Sequence, residues 1–252
     1  MLSQEEDIKR AGADMASSNR DLHFDRLNNT IELTDGTGWK HKDSMPCPLG
    51  GFAKRSFDIV FATLALIAFA VPVVLIAVAL KLLSPGPLVF AHTRVGLGGR
   101  NFQCLKFRTM VVDAQEQLDT LLANDAAARA EFTADRKLRN DPRIIPGIGH
   151  WLRKTSLDEL PQFINVLRGD MSIVGPRPVT PDEVHTHYNR DHVFMYVRPG
   201  VTGPWQVSGR NDVSYSQRVS MDEQYGRKWS FRSDLAIILK TVEVVCHSKT
   251  GH

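Results

Sequence analysis

Residues 59–80 read IVFATLALIAFAVPVVLIAVAL, an uncharged run of 22 residues. A helix of this length rises about 33 Å at 1.5 Å per residue, which is enough to cross a hydrocarbon core of about 30 Å. Pro72 divides the run into arms of 13 and 8 residues. Proline removes an amide donor and kinks a helix, and each arm alone is too short to cross a bilayer. The run therefore predicts a membrane helix that is broken near Pro72.

Basic residues flank this run on both sides. Lys54 and Arg55 precede it, and Lys81 and Arg94 are the first basic residues after it. The positive-inside rule expects the basic flank of a spanning helix on one side only, so this symmetry favours a helix that enters and leaves by the cytoplasmic face. Kinked spanning helices are also common. The residues alone thus leave both a re-entrant helix over 54–83 and a single span open.

The composition narrows the class of protein. A chain of 252 residues with 23% charged residues and a mean hydropathy of −0.20 is neither a polytopic membrane protein nor fully disordered. Its three cysteines, Cys47, Cys104 and Cys246, form no C-x-x-C pair, which argues against a disulfide scaffold. Residues 1–53 carry a net charge of −3 and the remainder carries +6. A basic body suits anionic lipid headgroups, phosphorylated substrates or nucleic acid, and charge alone does not choose among them.

The chain divides into four segments around the apolar run. Residues 1–53 are rich in Asp, Asn, Ser, Thr and Gly, which predicts a disordered or loosely structured tail. The membrane helix over 54–83 follows, then a domain over 84–246 and a second tail over 247–252. Strand and helix signals in the domain predict an α/β fold that is mostly helical.

The domain carries signals for one hairpin and several helices. Short strands at 88–91 and 101–107 flank the glycine cluster GLGG at 96–99, which predicts a hairpin turn rather than a phosphate loop, because no Lys-Ser/Thr follows it. Helices are predicted at 111–139, 147–154, 156–167 and 231–245. The last of these has an apolar stripe that suits either packing on the core or a membrane surface.

The helix predicted at 156–167 has a clear apolar period. Apolar residues recur at i, i+3, i+4 and i+7 and predict one buried face: Leu160, Phe163, Ile164 and Leu167. Asp158, Gln162 and Asn165 fall together on the opposite side, which is predicted to be the polar face.

Two adjacent carboxylates, Asp158 and Glu159, open this predicted helix and allow two interpretations. In the first, Ser156 and Glu159 form a capping box and Asp158 interacts favourably with the helix dipole. In the second, the pair binds Mg²⁺ against a pyrophosphate, helped by Arg153 and Lys154 just upstream. In such a field we expect a carboxylate to stay ionised and, once a metal neutralises the phosphates, to attack phosphorus.

A series of motifs in a fixed order resembles a known family. The motifs are KRSFD at 54–58, KFRTM at 106–110, LDELPQ at 157–162, NVLRGDMS at 165–172, VGPRP at 174–178, RPGVTG at 198–203 and QVSGRN at 206–211. They are similar to those of the bacterial sugar transferases, the monotopic phosphoglycosyl transferases, over about residues 52–246. Within that family the likeness is greatest to the galactosyl-phosphate transferases that start exopolysaccharide assembly.

The resemblance implies a fold and a reaction. The fold is a small cytoplasmic domain with a re-entrant membrane helix broken near Pro72 and with interfacial amphipathic helices, at the cytoplasmic face of the bacterial inner membrane. The family breaks its helix at a Ser-Pro pair, and Val71 replaces that serine here. The reaction moves a sugar 1-phosphate from a UDP-hexose to undecaprenyl phosphate, releases UMP and passes through a covalent aspartyl intermediate. Galactose is the expected sugar and glucose the next.

The resemblance also assigns roles to residues. Asp158 falls on the family's nucleophile, and Glu159, with Asp158, on the carboxylates that hold Mg²⁺. Basic motif positions are expected to contact phosphates or UMP, namely Arg153, Arg177, Arg198 and Arg210, and a second basic motif near the membrane contributes Lys106 and Arg108.

Two other functions remain as alternatives. One is a membrane-anchored, Mg²⁺-dependent phosphohydrolase, and the other is a non-enzymatic adaptor with a single membrane span. The expected partners are a UDP-hexose, undecaprenyl phosphate and membrane lipid, without nucleic acid. Self-association into a homo-oligomer stays open.

Overall fold

The computed structural model of the protein describes residues 22–25, 30–33, 48–135, 138–188, 192–208 and 213–247. Helices dominate these residues, and their strands pair into two-stranded sheets. The prediction of a mostly helical α/β fold is confirmed.

The strands are β1 (Leu22–Asp25), β2 (Thr30–Leu33), β3 (Val89–Val95), β4 (Asn101–Phe107), β5 (Ser172–Val174) and β6 (Gly200–Thr202). The helices are α1 (Gly51–Ala68), α2 (Ala70–Leu83), α3 (Ala114–Asn124), α4 (Ala126–Asp135), α5 (Ile148–Thr155), α6 (Gln162–Arg168), α7 (Pro181–His187), α8 (Tyr215–Lys228) and α9 (Phe231–His247). Strands β1 and β2 form an antiparallel pair inside the predicted tail. The other residues of 1–47 and the segment 248–252 lie outside the described residues.

The apolar run folds as a bent pair of helices. Helix α1 ends before Phe69, and α2 starts directly after it, with a bend of 59° between them. Pro72 lies in the first turn of α2, where its missing amide donor costs little. The break thus forms near Pro72 and without the serine that Val71 replaces. Within the described residues no single helix is long and apolar enough to cross a membrane, although α1 and α2 together meet that test by length and composition.

Both arms of the helix pair attach to the same globular domain. On α1, the Lys54 Nζ lies 2.5 Å from the Asp234 Oδ2 of α9, and both side chains are buried. Asp58, one turn further along α1, accepts hydrogen bonds from the Ser172 hydroxyl and the Ile173 amide of β5, each at 2.9 Å. On α2, the buried residue Leu80 belongs to a core cluster of the domain. The bend therefore returns the chain to the domain from which it left.

Strands β3 and β4 form the predicted hairpin. They pair antiparallel, with Phe90 opposite Lys106 and His92 opposite Cys104. The connecting turn includes Gly98 and Gly99 at φ of 69° and 73°, a left-handed conformation that glycine adopts without a steric penalty. The glycine cluster is thus a turn, as predicted.

Two motif loops meet beside the parallel strands β5 and β6. A Cβ atom on Gly175 would lie 2.3 Å from the Arg198 carbonyl oxygen, and one on Gly203 would lie 2.0 Å from the Gly175 carbonyl oxygen. Only glycine fits such close backbone approaches. The glycines of the VGPRP and RPGVTG motifs therefore serve packing and hold the two loops together.

Candidate active site

The two carboxylates lie on a short turn between α5 and α6. Helix α5 ends at Ser156, whose φ of 56° is left-handed, and a 3₁₀ turn spans Leu157–Glu159. The predicted capping box is wrong, because the Ser156 side chain caps no helix and α6 begins after Pro161. Proline has no amide hydrogen, so the chain cannot continue a regular helix through this position. The pair is thus presented on an irregular turn instead of a helix.

Asp158 and Glu159 share the ammonium group of Lys106 on β4. The Lys106 Nζ lies 2.6 Å from Glu159 Oε1 and 3.8 Å from Asp158 Oδ2. The Asp158 side chain is 12% exposed and that of Glu159 is 35% exposed. The pair is therefore sheltered by the domain but remains open to solvent along one side.

Burial changes the protonation of this cluster. It raises the pKa of the Asp158 carboxyl to about 6, since the loss of solvent outweighs the favourable charge of Lys106 and Glu159 adds repulsion. A carboxyl with this pKa is largely ionised at neutral pH, and the expectation that it stays ionised beside a metal remains a prediction. Burial alone lowers the pKa of the Lys106 ammonium, but Glu159 and Asp158 outweigh it and raise that pKa above its ordinary value. Lys106 is therefore a lasting positive charge beside the pair.

Arg153 lies next to the carboxylates at the end of α5. Its Nε donates a 2.9 Å hydrogen bond to the Thr109 hydroxyl. Burial lowers the pKa of its guanidinium, and the charge of Asp158 opposes this shift. A Cβ atom at Gly149 would lie 2.6 Å from the Thr109 carbonyl oxygen, so α5 approaches this segment closely only because residue 149 is glycine. Arg153 is also solvent-exposed, and it can reach a phosphate near the pair.

Helix α6 buries the face that was predicted to be polar. Gln162 and Asn165 are buried. Of the face predicted to be apolar and buried, Leu160 is buried and Phe163 packs against the core as predicted, whereas Ile164 and Leu167 are 39% and 37% exposed. The Asn165 Oδ1 accepts from the Leu105 amide at 2.9 Å, and its Nδ2 donates to the Gln103 carbonyl oxygen at 2.8 Å. Asn165 thereby pairs with the free edge of β4 as a strand would. This amide holds α6, and the turn before it, against the strand that carries Lys106.

Arg108 lies two residues beyond Lys106 but contacts another part of the chain. Its guanidinium is buried and donates to the Ser84 carbonyl oxygen, in the turn that follows α2. The described residues provide no hydrogen-bond partner for its Nε and Nη1. The structure therefore places Arg108 at the end of the bent helix pair α1–α2 and not on the carboxylates.

Arg177 belongs to a second cationic group. Its guanidinium lies 5.2 Å from the Trp205 ring centre and its Nη1 3.9 Å from Glu183 Oε1. The Arg218 guanidinium lies 4.9 Å from the same ring, and Arg94 on β3 is electrostatically coupled to Arg177 and Glu183. The structure does not bring Arg177 into contact with Asp158.

One face of the β3–β4 hairpin connects the carboxylate cluster with the cationic group around Trp205. Residues that pair across an antiparallel ladder point to the same side, so Lys106 shares its face with His92 and Arg94 of β3. The sequence reasoning missed His92, Arg94, Trp205 and Arg218. The alternation of His92 and Arg94 within β3, on the side of Lys106, is the signal that would have found two of them.

The structure does not bring the other two predicted phosphate contacts to the carboxylates. Arg198 donates from its Nε to the Gly169 carbonyl oxygen at 2.9 Å, beyond the C-terminal end of α6, while the carboxylates precede its N-terminal end. Arg210 lies outside the described residues. The roles assigned to both residues stay predictions.

The pair has a donor set that fits Mg²⁺. Within the described residues no group of three His, Cys, Asp or Glu side chains could hold a metal ion, so the protein offers at most Asp158 and Glu159 here. Mg²⁺ is commonly bound by one or two carboxylates together with water and substrate phosphates. The two side chains therefore fit an ion that a phosphate substrate helps to hold.

Comparison with known proteins identifies the family. Residues 49–248 match the model of the family described as bacterial sugar transferase. The chain belongs to the bacterial sugar transferases. This sugar transferase is 47% identical to the exopolysaccharide production protein ExoY of Rhizobium meliloti over 205 residues, which are 81% of this chain and 90% of that protein.

Two larger relatives carry names that state a reaction. The undecaprenyl-phosphate galactose phosphotransferase of Salmonella typhimurium is 50% identical over 194 residues, 77% of this chain and 40% of the relative. The UDP-glucose:undecaprenyl-phosphate glucose-1-phosphate transferase of Escherichia coli is 40% identical over 206 residues, 77% of this chain and 41% of the relative. This sugar transferase is thus an enzyme of the phosphoglycosyl transferase type and not a non-enzymatic adaptor.

Proposed function

We propose that this sugar transferase moves a hexose 1-phosphate from a UDP-hexose to undecaprenyl phosphate and releases UMP, as the first step of exopolysaccharide assembly. The observation that carries the proposal is the sheltered Asp158–Glu159 pair with Lys106 at 2.6 Å from Glu159. The names of the relatives from Salmonella typhimurium and Escherichia coli support the undecaprenyl phosphate acceptor. Galactose is the proposed sugar, because the Salmonella typhimurium relative is more similar than the glucose transferase.

The proposed chemistry has two displacements at the sugar-bearing phosphorus. In the first, an Asp158 carboxylate oxygen bonds to this phosphorus, and the bond to the bridging oxygen breaks so that UMP leaves. In the second, a phosphate oxygen of undecaprenyl phosphate attacks the same phosphorus, the bond to Asp158 breaks and the carboxylate is restored. An enzyme carboxylate that forms such an intermediate splits one difficult displacement into two easier ones.

The cluster around Asp158 suits these steps. A carboxyl with a pKa of about 6 is largely ionised at neutral pH, yet burial has removed much of the water that would weaken it as a nucleophile. Lys106 and the exposed Arg153 supply positive charge for the phosphates. Mg²⁺, held by Glu159 and Asp158, would supply further neutralisation of phosphate charge when bound.

The helix pair supports a re-entrant membrane anchor. Its exposed surface is apolar and includes Leu64, Ile67, Val71, Leu75 and Leu82, each more than half exposed. A soluble protein rarely exposes so large an apolar patch, so a bilayer is the fitting environment. Because both arms return to one domain, a re-entrant helix accounts for the contacts of Lys54, Asp58 and Leu80 better than a span does.

The same contacts support an active site at the membrane surface. Leu80 at the end of α2 packs with Leu152 and Leu160 in one cluster, and these two residues flank the carboxylates in the sequence. A water-soluble UDP-hexose and a lipid-borne phosphate can both reach a site in that position. We propose the cytoplasmic face of the bacterial inner membrane as the location, with the exposed apolar stripe of α9 (Leu235, Leu239, Val242) in the interface.

The test is a turnover assay on the purified full chain in a bilayer. We expect UMP to be released from UDP-galactose in proportion to added undecaprenyl phosphate, with formation of a lipid-linked sugar. UDP-glucose, offered in parallel, tests the choice of sugar. Continued release of sugar phosphate without undecaprenyl phosphate would instead identify the membrane-anchored phosphohydrolase, and failure to turn over either nucleotide sugar would contradict the proposal.

A further inference from the structure

A basic cavity lies at the C-terminal end of α6. Its volume is about 300 Å³, within the range of small-ligand sites. The side chains that give it its chemistry are Arg100, Asn101, Arg168, Asp170 and Arg198. We call it the arginine cavity.

The arginine cavity is separate from the carboxylate pair. The pair precedes α6 and the cavity follows it, so the seven residues of α6 set them about 10 Å apart along the helix axis. Strand β4 separates the two places in the same way. The cavity residue Asn101 lies at its start, and Lys106, which contacts the carboxylates, lies near its end. The lining of the cavity therefore includes neither Asp158 nor Glu159.

The guanidinium groups of the cavity are in excess over its carboxylates. Within the described part of the chain, Arg100, Arg168 and Arg198 form no ion pair. The one lining carboxylate, Asp170, already accepts a 3.0 Å hydrogen bond from Asn165 Nδ2. Burial lowers the pKa of Arg198 and the nearby Arg55 lowers it further, which the charge of Asp58 offsets only in part. Uncompensated guanidinium groups around a cavity are the features of an anion site.

Capping of α6 does not account for all of these arginines. Arg55 donates to the Val166 and Leu167 carbonyl oxygens at 2.6 and 2.9 Å, and Arg198 donates from Nε to Gly169. These bonds satisfy the helix end. The side chains of Arg100 and Arg168 are exposed and form no hydrogen bond or ion pair within the described residues, although both line the same cavity. Arg168 also lies in the last turn of α6, where its charge is favourable to the helix dipole.

We propose that the arginine cavity binds a phosphate ester group. Arginine presents several N–H donors in a planar fork that matches phosphate oxygens.

The surroundings favour a phospholipid as the source of this ester. The exposed apolar residues Ile164 and Leu167 directly precede Arg168 on α6. Arg55, at the start of the membrane helix pair, lies beside Gly169, where an added Cβ would be 3.5 Å from its Nη2. The cavity thus lies where the apolar surface meets the polar domain, which is the level of lipid headgroups.

The test measures binding by native mass spectrometry of the full chain in an uncharged detergent. The probes are dioctanoyl-phosphatidylglycerol, dioctanoyl-phosphatidylcholine, glycerol 1-phosphate and inorganic phosphate. We expect one tightly bound phosphatidylglycerol per chain, and a loss of affinity of at least about tenfold in the double variant Arg100→Ala/Arg168→Ala. The matched control Arg227→Ala/Lys228→Ala removes the same charge from the exposed surface of α8 and should bind as the wild type does.

The binding results support the proposed phospholipid site, replace its ligand or overturn it. Unchanged phosphatidylglycerol binding by a folded Arg100→Ala/Arg168→Ala protein, or an equal loss in the control, would overturn the proposal. Equal binding of glycerol 1-phosphate would keep the phosphate ester and replace the lipid by a soluble source. The variant Arg100→Lys/Arg168→Lys keeps the charge and should lie between wild type and the alanine variant. None of these readouts depends on Asp158, so they can fail or succeed independently of the proposed transferase reaction.

Discussion

The two ends of α6 have opposite chemistry. Before its first turn, Asp158 and Glu159 share the single ammonium of Lys106; after its last turn, guanidinium groups surround the arginine cavity. The acidic end suits a metal ion and attack on phosphorus, whereas the basic end suits a phosphate that is held and not transformed. One short helix thus separates the proposed reaction from a proposed binding site, and four changes test the parts of the domain on which this comparison depends.

The largest effect is expected at the acidic end. Asp158→Asn removes the proposed nucleophile but keeps the size of the side chain, so we expect turnover to fall by at least about 10³-fold. The fold should survive, because the change also removes a partly desolvated charge. UMP release measures the effect, with Asp182→Asn on the exposed surface of α7 as the control. Activity above a tenth of wild type in Asp158→Asn would remove the nucleophile assignment.

The second change removes the Asn165 amide, which connects α6 to β4 and to Asp170. Asn165→Ala leaves the Leu105 amide, the Gln103 carbonyl and Asp170 without their buried partner, which we expect to cost about 3–5 kcal/mol of unfolding free energy. Thermal or denaturant unfolding in detergent measures it. The exposed amide Gln115, changed to Ala, should cost less than about 0.5 kcal/mol. A loss as small as that in Asn165→Ala would show that α6 is held by other contacts.

The third prediction tests whether burial alone raises the pKa of a carboxyl in this domain. Asp222 on α8 is buried, and burial raises its pKa to about 7 despite a 3.0 Å hydrogen bond from Tyr188. The unfolded chain releases this proton near pH 4 and the folded chain near pH 7. Between these values the folded state binds more protons, so stability should fall as the pH rises, by about 2–4 kcal/mol in total.

Asp222→Asn should make this fall smaller by the contribution of Asp222, leaving the part that comes from other buried carboxyls such as Asp158, and Asp182→Asn should retain the whole fall. Unfolding free energies of the three proteins between pH 4 and 8 make the comparison. Parallel curves for wild type and Asp222→Asn would show that burial at this carboxyl does not shift its titration, and would weaken the same cause at Asp158.

The smallest effect is expected at the turn that presents the pair. Ser156 has a left-handed φ of 56°, which costs a non-glycine residue about 1–2 kcal/mol. Glycine would remove this strain, but it loses more backbone entropy on folding than serine does. We therefore expect Ser156→Gly to stabilise the fold by about 0.5–1 kcal/mol. Ser214→Gly is the opposite control, since it removes the side-chain cap of α8 and should destabilise slightly. Destabilisation by Ser156→Gly would mean that the serine side chain supports the turn.

The sequence located most elements but misjudged which side of α6 faces outward. The period of α6 was found, yet Ile164 and Leu167 are exposed and Asn165 is buried. For the stripe of α9 the sequence left core packing and a membrane surface open, and the structure leaves Leu235 and Leu239 exposed while Asp234 is buried in an ion pair with Lys54. Periodicity identifies a stripe but not its environment, and beside a membrane the outer side can be the apolar one.

The motifs predicted more residues of the candidate site than the capping and periodicity rules did. The capping-box rule placed a helix start at Ser156 because it took no account of Pro161. This proline lies two residues after Glu159, and α6 begins only after it. The ammonium of Lys106 is distant in sequence from Glu159, so only the hairpin and the Asn165 amide bring them together. The arginine cavity draws on two separate motifs, NVLRGDMS for Arg168 and Asp170 and RPGVTG for Arg198, and on the hairpin for Arg100 and Asn101, so no single motif indicates it.

The most direct measurement is the intact mass of the protein mixed with UDP-galactose and Mg²⁺ in the absence of undecaprenyl phosphate. The account predicts a mass increase equal to one hexose phosphate, located on Asp158 by peptide mapping, that disappears when undecaprenyl phosphate is added and never forms in Asp158→Asn. An enzyme that turns over at the full rate without any such adduct, or an adduct on another residue, would contradict it.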